Sequence, residues 1–169
     1  VIMHWRAHAA TMSDAAHYGD VVADVRDELL ARRDAALAAG IRADRIILDP
    51  GLGFAKTWDH NWALLRNLDT FTGLGHRLLV GASRKAFLGI LERDADGVPA
   101  PPAQRDGASA ALTLVCAQAG VWGVRVHDVL ASRSALRVQQ ALAAIDTGGG
   151  EASTPRIAPQ IDPRIEEAP

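Results

Sequence analysis

The carboxylate with the clearest chemical potential is Asp49. It follows the apolar residues 46–48 and precedes a loop that contains Pro50, Gly51 and Gly53. Because proline and closely spaced glycines interrupt strands and helices, Asp49 is predicted to end a strand, where α/β proteins carry their active sites. There it could act as a general base, bind a metal ion, or accept two parallel N–H bonds from a planar, amidine-like edge. The alternative is a structural role, in which Asp49 caps its own loop.

Three other apolar segments also end on polar side chains. Residues 1–3 precede His4 and Arg6, residues 78–81 precede Ser83-Arg84-Lys85, and residues 124–126 precede His127-Asp128. Parallel strands present their carboxyl ends at one edge of a sheet or one mouth of a barrel. The four segments are therefore predicted to direct their polar groups at one place.

Two of these segments carry cations that suit a phosphorylated ligand. Ser83-Arg84-Lys85 lies where a strand turns directly into a helix, so backbone N–H groups and two cations could form an anion site. Arg125 and His127 stand two apart on a strand and point to one face, with Val124 and Val126 on the other. Such a pair could hold a diphosphate, with the imidazolium bonding the leaving oxygen. The alternatives are a solvated charged turn and a buried Arg125 that pairs with a structural carboxylate.

Lysine is rare in this chain, since only Lys56 and Lys85 are lysines among 18 basic residues. Both follow strand ends, which indicates that a compact ammonium is required there. The remaining histidines show no ligand spacing and are predicted to be packing or surface residues: His4, His8, His17, His60 and His76. Together the polar groups suit a substrate that has a flat heterocycle with N–H donors and a phosphorylated arm.

Composition indicates a small partner rather than a macromolecule. A net charge of −2 gives no basic footprint for nucleic acid and no polybasic surface for membranes. The single cysteine, Cys116, excludes an internal disulfide and is predicted to be a buried, inert thiol, which fits a reducing cytoplasm. The uncharged run 107–124 approaches the length of a membrane span, but its glycines and polar residues favour a buried helix that leads into a strand. We recognise no signal peptide or anchor.

The elements that position these groups alternate strictly between strand and helix. Strands are predicted at 1–3, 46–48, 77–80 and 122–126, and helices from about Val22 to the C′ residue Gly40 and at about 59–68, 84–92, 105–119 and 132–144. This alternation predicts an α/β fold with a parallel sheet. A complete (β/α)₈ barrel needs roughly 250 residues for its eight strand–helix units, so the four units of this chain amount to half of such a barrel. A doubly wound sheet lacks its Gly-x-Gly-x-x-Gly turn here. A start at Val1 without methionine indicates the later part of something longer. Residues 1–145 are thus predicted to be a partial barrel domain and 146–169 a disordered tail.

Four motifs in register resemble dihydropteroate synthase, the folate-pathway enzyme that sulfonamides inhibit. They are Met3-His4-Trp5-Arg6, residues 49–57, Gly81-Ala82-Ser83-Arg84-Lys85 and Arg125-Val126-His127-Asp128-Val129. The variants at Trp5, Asn61-Trp62 and Trp122-Gly123 resemble the actinobacterial branch, and the likeness runs from Val1 to about Ala144. The resemblance implies strands 5 to 8 of a (β/α)₈ barrel that joins 4-aminobenzoate to 6-hydroxymethyl-7,8-dihydropterin diphosphate and releases diphosphate.

The resemblance also assigns roles to individual residues. Asp49 would hold the aminopyrimidinone edge of the pterin, Lys85 would bond polar atoms of its ring, and Met3 would pack against it. Arg125 would lie beside the ring and, with His127, receive the diphosphate, so that Lys85, Arg125 and His127 are the catalytic candidates. Phe54 and the helix start at Ala86 would border 4-aminobenzoate. Mg²⁺ is implied as the metal, with its main protein ligand in the family's first half and none in this chain, and the whole enzyme is implied to be a homodimer.

Two departures from the family pattern bear on activity. Ala86 stands where many members have serine, so any hydroxyl contact to the aminobenzoate is lost. The family's first four strands are absent, so this chain is predicted to have little or no synthase activity alone. Two other readings stay open: a non-catalytic pterin-binding paralogue, and a methyltetrahydrofolate-binding methyltransferase domain.

Overall fold

A computed structural model describes residues 1–6 and 16–146 of the chain, and these residues form one four-stranded parallel sheet with helices. The strands are β1 (Ile2–Met3), β2 (Ile47–Asp49), β3 (Arg77–Val80) and β4 (Gly123–Val124). They lie in the order β1-β2-β3-β4, so every strand neighbours the next one along the chain. The predicted α/β class and parallel sheet are confirmed.

The sequential strand order places all crossover helices on one side of the sheet, because each parallel crossover is right-handed. The side chains agree: Leu48, Leu78 and Val80 face the helices and are each 1% exposed. Ile47 and Leu79 alternate with them and are only half-buried on the opposite face. A doubly wound sheet would carry helices on both faces, whereas the described part of this sheet has its helices on one face.

The helices pack over the covered face of the sheet. Their bounds are α1 (Val21–Ala38), α2 (Trp58–Arg66), α3 (Leu68–Thr72), α4 (Ala86–Gly89), α5 (Asp106–Gln118) and α6 (Val129–Asp146). One hydrophobic core joins α1, α2, α3, α4 and α5 to the sheet, with Val25 and Leu29 of α1 and Phe71 of α3 fully buried, and α6 packs against α5. Cys116 of α5 is also buried, as predicted, and burial raises the pKa of its thiol to about 11, so the thiol stays protonated.

Helix α1 begins and ends as its sequence predicts. The Asp20 side chain caps it by accepting hydrogen bonds from the N–H groups of Val22 and Ala23. Gly40, at φ +88°, is the C′ residue of a Schellman motif, in which its own N–H bonds Leu37 O and the N–H of Ile41 bonds Ala36 O. The apolar period of α1 predicts that Val22, Val25, Leu29 and Leu37 share one face. Val25 and Leu29 are fully buried and Val22 is half-buried, but Leu37 is 37% exposed.

Three other boundaries differ from the predicted ones. The helix expected at 59–68 is two helices, because Asn67 leaves helical geometry between α2 and α3. Strand β4 is shorter than predicted, although Arg125 N still bonds Val80 O next to it. Helix α6 begins at Val129 rather than Ser132, with the Asp128 carboxylate accepting from Ala131 N in its first turn.

The run 107–124 forms α5 followed by β4, as predicted. In the part of the chain that the structure describes, no helix combines the length and apolarity needed to cross a membrane. The predicted polar link from Ala7 and the predicted disordered tail lie largely outside the described residues, as does His8.

Candidate active site

Most of the predicted site residues meet on the open face of the sheet, at the carboxyl ends of its strands. Met3 and Asp49 are paired in register on β1 and β2, so their side chains point to the same face. The Lys85 ammonium lies 3.9 Å from the centre of the Phe54 ring. The Arg125 guanidinium lies over Gly81, where a Cβ would be 3.4 Å from its Nε. These side chains therefore lie on one face at the strand ends, with the charges of Asp49, Lys85 and Arg125 near one another.

Asp49 is buried, with 8% of its surface exposed. Its Oδ1 accepts a 2.8 Å hydrogen bond from Gly51 N, so the carboxylate does cap its own loop. Burial raises the pKa of Asp49, and the Gly51 hydrogen bond and the charges of Arg125, Lys85 and Lys56 act in the opposite direction. The cap uses one lone pair of Oδ1, which leaves Oδ2 and the second lone pair of Oδ1 as acceptors for a ligand.

Lys85 contacts the ring of Phe54 and lies near the charges of Asp49 and Arg125. Gly53 makes room for it, since a Cβ there would stand 3.0 Å from the Lys85 Cδ. Burial lowers the pKa of Lys85, the charge of Arg125 lowers it further, and Asp49 raises it. The charge of Arg125 affects the pKa of both Asp49 and Lys85, which also affect each other, so the three side chains are electrostatically one site.

Arg125 and His127 follow β4, and both side chains are exposed. Arg125 is exposed because it follows β4, an edge of the described sheet, so the alternative of a buried Arg125 that pairs with a structural carboxylate stays a prediction. His127 is held by Ser83, whose Oγ accepts from His127 N at 3.1 Å and lies 3.0 Å from Nδ1. Nε2 of His127 is thus the ring nitrogen directed away from Ser83.

Arg84 does not join the site, which corrects the predicted anion site of two cations. Its guanidinium forms a two-point ion pair with Asp106 of α5, at 2.7 and 2.8 Å. Arg84 also adopts φ +58°, and the helix expected from Arg84 to about Glu92 is only the four residues of α4. Ala86, its first residue, is exposed.

The loop between β2 and α2, residues 50–57, is held in one shape by many short contacts. Gly51 approaches β1 so closely that a Cβ there would lie 1.9 Å from His4 O, and its φ is +66°. Gly53 N donates to Asn61 Oδ1 at 2.6 Å, and Tyr18 Oη donates to Ala55 O at 3.0 Å. This rigid loop is what places Asp49 and Phe54 relative to Lys85.

Sequence reasoning missed the roles of two residues that shape the site. Ser83 was considered only as part of a turn, although a serine at a strand end can fix a histidine from the next strand. His4 was predicted to be a packing residue, and it is fully buried, but it also bonds Glu28 and Lys56. A hydrogen-bonding network that joins residues so far apart in the chain leaves no local sequence signal.

The described residues do not form a metal site. Among them, no three His, Cys, Asp or Glu side chains lie close enough together to hold a metal ion. They therefore supply no ligand set for the Mg²⁺ that the family resemblance implies.

Comparisons with known proteins agree with this geometry. The model of the pterin binding enzyme family matches residues 1–127. A dihydropteroate synthase from Mycobacterium leprae is 52% identical over 139 residues, which cover 82% of this chain and 49% of that protein. The structure of the Thermus thermophilus synthase in complex with 4-aminobenzoate is 48% identical, with a TM-score of 0.74, over 83% of this chain and 52% of that one.

A third relative shows the same partial coverage. The Xanthomonas albilineans synthase in complex with 7,8-dihydropteroate is 41% identical, with a TM-score of 0.72, over 84% of this chain and 49% of that one. The chain thus spans about half the length of the relatives that it matches. Because the family model matches most residues of this chain, the chain belongs to the pterin binding enzyme family. The relatives of the chain named above are dihydropteroate synthases.

Proposed function

We propose that this chain forms the carboxyl-terminal half, strands 5 to 8 with their helices, of a dihydropteroate synthase. The whole enzyme would condense 6-hydroxymethyl-7,8-dihydropterin diphosphate with 4-aminobenzoate, giving 7,8-dihydropteroate and diphosphate. The observation that carries the proposal is the convergence of Asp49, Lys85 and Arg125 on the open face of a sequentially ordered parallel sheet. In a barrel this face and these strand ends are the active-site mouth.

The aminopyrimidinone edge of a pterin suits Asp49. That edge presents parallel N–H donors, and a carboxylate accepts such a pair with two charge-assisted bonds. Burial makes the ionised form of Asp49 unfavourable in the free site, as its raised pKa reflects, so a ligand with N–H donors would relieve this penalty. Lys85 stands next to the same pocket and would bond the acceptor atoms of the ring.

Arg125 and His127 suit the diphosphate. Breaking the C–O bond of the substrate puts negative charge on the departing diphosphate, and an arginine with a histidine would stabilise it. Because Ser83 holds Nδ1 of His127, Nε2 is the nitrogen that would donate to a departing oxygen. The amine of 4-aminobenzoate then traps the pterin cation, so no side-chain nucleophile is required. Met3, Phe54 and Ala86 would border the two rings.

The surface of the chain supports the half-barrel proposal. Both β1 and β4 are sheet edges, and edges of parallel strands are normally covered. Helix α6 exposes large apolar side chains, which are Val129, Leu130, Val138, Leu142 and Ile145. Such a surface is what the missing strands and helices, or a second subunit, would cover. We propose in addition that the whole enzyme is a cytoplasmic homodimer that uses Mg²⁺ held chiefly by its first half.

The functional test uses a chimera in which the amino-terminal half of the T. thermophilus synthase is fused before residue 1 of this chain. Arg125→Ala in this chimera is expected to weaken binding of the pterin diphosphate by about ten- to a hundredfold, because one charge-assisted contact is worth about 1.5 to 3 kcal/mol. Binding of the bare hydroxymethylpterin should change by a smaller factor. Calorimetric titration of both ligands measures the difference.

The exposed arginine Arg133 on α6 provides the matched control, and Arg133→Ala should leave both affinities unchanged. Equal losses of the two ligands on Arg125→Ala would contradict the diphosphate role. Saturable pterin binding by the chimera without any diphosphate release would instead select the non-catalytic pterin-binding paralogue.

A further inference from the structure

Lys56 was predicted to present a compact ammonium at the strand ends, but it lies beneath the β2–α2 loop. Its Nζ is 2.9 Å from His4 Nδ1, 3.0 Å from Gly51 O and 3.0 Å from Phe54 O. An ammonium group has three donors and no acceptor, so these three partners match its capacity. Lys56 therefore ties together both sides of the loop and the end of β1.

His4 carries this connection onward to α1. Its side chain is fully buried, and its Nε2 lies 2.9 Å from Glu28 Oε2. Because Nδ1 accepts from the Lys56 ammonium, the ring hydrogen is on Nε2 and is donated to Glu28. Arg6 donates to the other carboxylate oxygen, Oε1, from its Nε at 2.9 Å. The loop, β1 and α1 are thus joined by a continuous set of hydrogen bonds.

The number of protons on Lys56 and His4 decides whether all these bonds can form. With one positive charge on the pair, every partner has a donor or an acceptor opposite it. When that proton is lost, the neutral amine has only two hydrogens for three acceptors, since the single hydrogen of His4 is already given to Glu28. One of Gly51 O, Phe54 O and His4 Nδ1 then loses its donor, which costs the loop one buried hydrogen bond.

We propose that Lys56 is a positioning residue whose ammonium, held by His4 and Glu28, fixes the loop that places Asp49 and Phe54. Loss of its proton releases part of this loop and disturbs the site beside it. The consequence for ligand binding rests on the proposed function, whereas the loop itself can be examined without any ligand.

Burial, together with the surrounding charges, places this proton loss near neutral pH. Burial lowers the pKa of Lys56 to about 7, Asp49 and Glu28 raise it, and Arg6 and Arg32 lower it further. Burial and the charge of Lys56 likewise lower the pKa of His4, to about 4, so the shared proton resides on Lys56. Two other titratable groups face this region: the Tyr18 ring, 6.0 Å from the Lys56 ammonium, and His60 of α2, which packs edge-on against Tyr18.

The test follows the backbone amide NMR signals of Gly51 and Phe54 in the full chain between about pH 5.5 and pH 9. We expect both signals to move with a common midpoint near 7, and Lys56→Met to abolish this transition. Glu28→Gln should shift the midpoint to lower pH, because the negative charge of Glu28 raises the pKa of Lys56. His60→Gln is the matched control, since it removes the neighbouring imidazole and should leave the midpoint in place.

A transition that persists in Lys56→Met, or one that disappears in His60→Gln, would overturn the proposal. If Lys56→Met does not fold, the pH midpoint of the loop signals in Glu28→Gln still tests the proposal. A midpoint unchanged by Glu28→Gln would contradict the assignment of the transition to Lys56. The pKa of Lys56 is lower in the folded chain than in the unfolded chain. Between about pH 7 and pH 10 the unfolded chain therefore binds more protons at Lys56, and this group makes the free energy of unfolding rise with pH. The NMR signals of the loop should therefore move with pH while the midpoint of urea unfolding does not fall. A general destabilisation of the fold would move the signals and also lower that midpoint.

Pterin titrations of the chimera distinguish this inference from the proposed function. Affinity is expected to fall above about pH 7, and Lys56→Met should remove that fall. If the loop signals titrate but no pterin binds at any pH, the proposed function fails and the role of Lys56 in the loop stands. If pterin binds with the same upper-pH profile in Lys56→Met, the positioning role fails and the proposed function stands.

Discussion

Asp49→Ala in the chimera is expected to weaken pterin binding by on the order of a hundredfold or more. The reason is the loss of two charge-assisted hydrogen bonds in a buried site, each worth about 1.5 to 3 kcal/mol. Affinity of the unaltered chimera should also fall as the pH drops through the pKa of Asp49, which burial raises above its ordinary value, because the protonated acid no longer accepts two N–H bonds. Calorimetric titration with hydroxymethylpterin across pH measures both effects.

The structural role of Asp49 requires a control, because its Oδ1 also caps the loop through Gly51 N. Asp49→Asn keeps an acceptor for this cap but replaces the second acceptor by a donor and removes the charge. We expect Asp49→Asn to lose most of the pterin affinity while the chimera keeps its thermal stability. Full affinity in Asp49→Asn together with a loss in Asp49→Ala would mean that Asp49 is only a loop cap.

The 169-residue chain alone is expected to form 7,8-dihydropteroate at least about a thousandfold more slowly than the chimera. Orienting two substrates and the catalytic groups can supply several orders of magnitude of rate, and half of the barrel mouth is insufficient to do so. The open edges at β1 and β4 also leave the substrate exposed to water. Product formation at equal concentrations of folded protein measures the ratio. A rate within about tenfold of the chimera would refute the half-barrel account.

The strands and their order could be predicted because local chemistry determines them. Pro50 and Gly51 end β2 directly after Asp49. Gly40 ends α1 because the C′ position of its Schellman motif requires a residue that tolerates a positive φ. Because successive side chains of a strand point to opposite faces, Val124 is predicted to pack on the core and Arg125 to point to the other face, as the structure has them. These features need no knowledge of distant residues.

The errors lie where distant residues decide the outcome. The helix expected from Arg84 begins only at Ala86, and Arg84 instead pairs with Asp106, which is 22 residues away. Lys56 is turned inward by His4, 52 residues earlier, and Ser83 meets His127 across 44 residues. Such contacts arise only once the sheet is assembled.

The most direct test of the account is whether the chimera releases one diphosphate for each 7,8-dihydropteroate that it forms. We predict steady product formation with matched diphosphate release, reduced by Arg125→Ala and unaffected by Arg133→Ala. A folded, monodisperse chimera that binds neither the pterin nor 4-aminobenzoate, or that binds both and forms no product, would contradict the proposal that this chain supplies half of a synthase barrel.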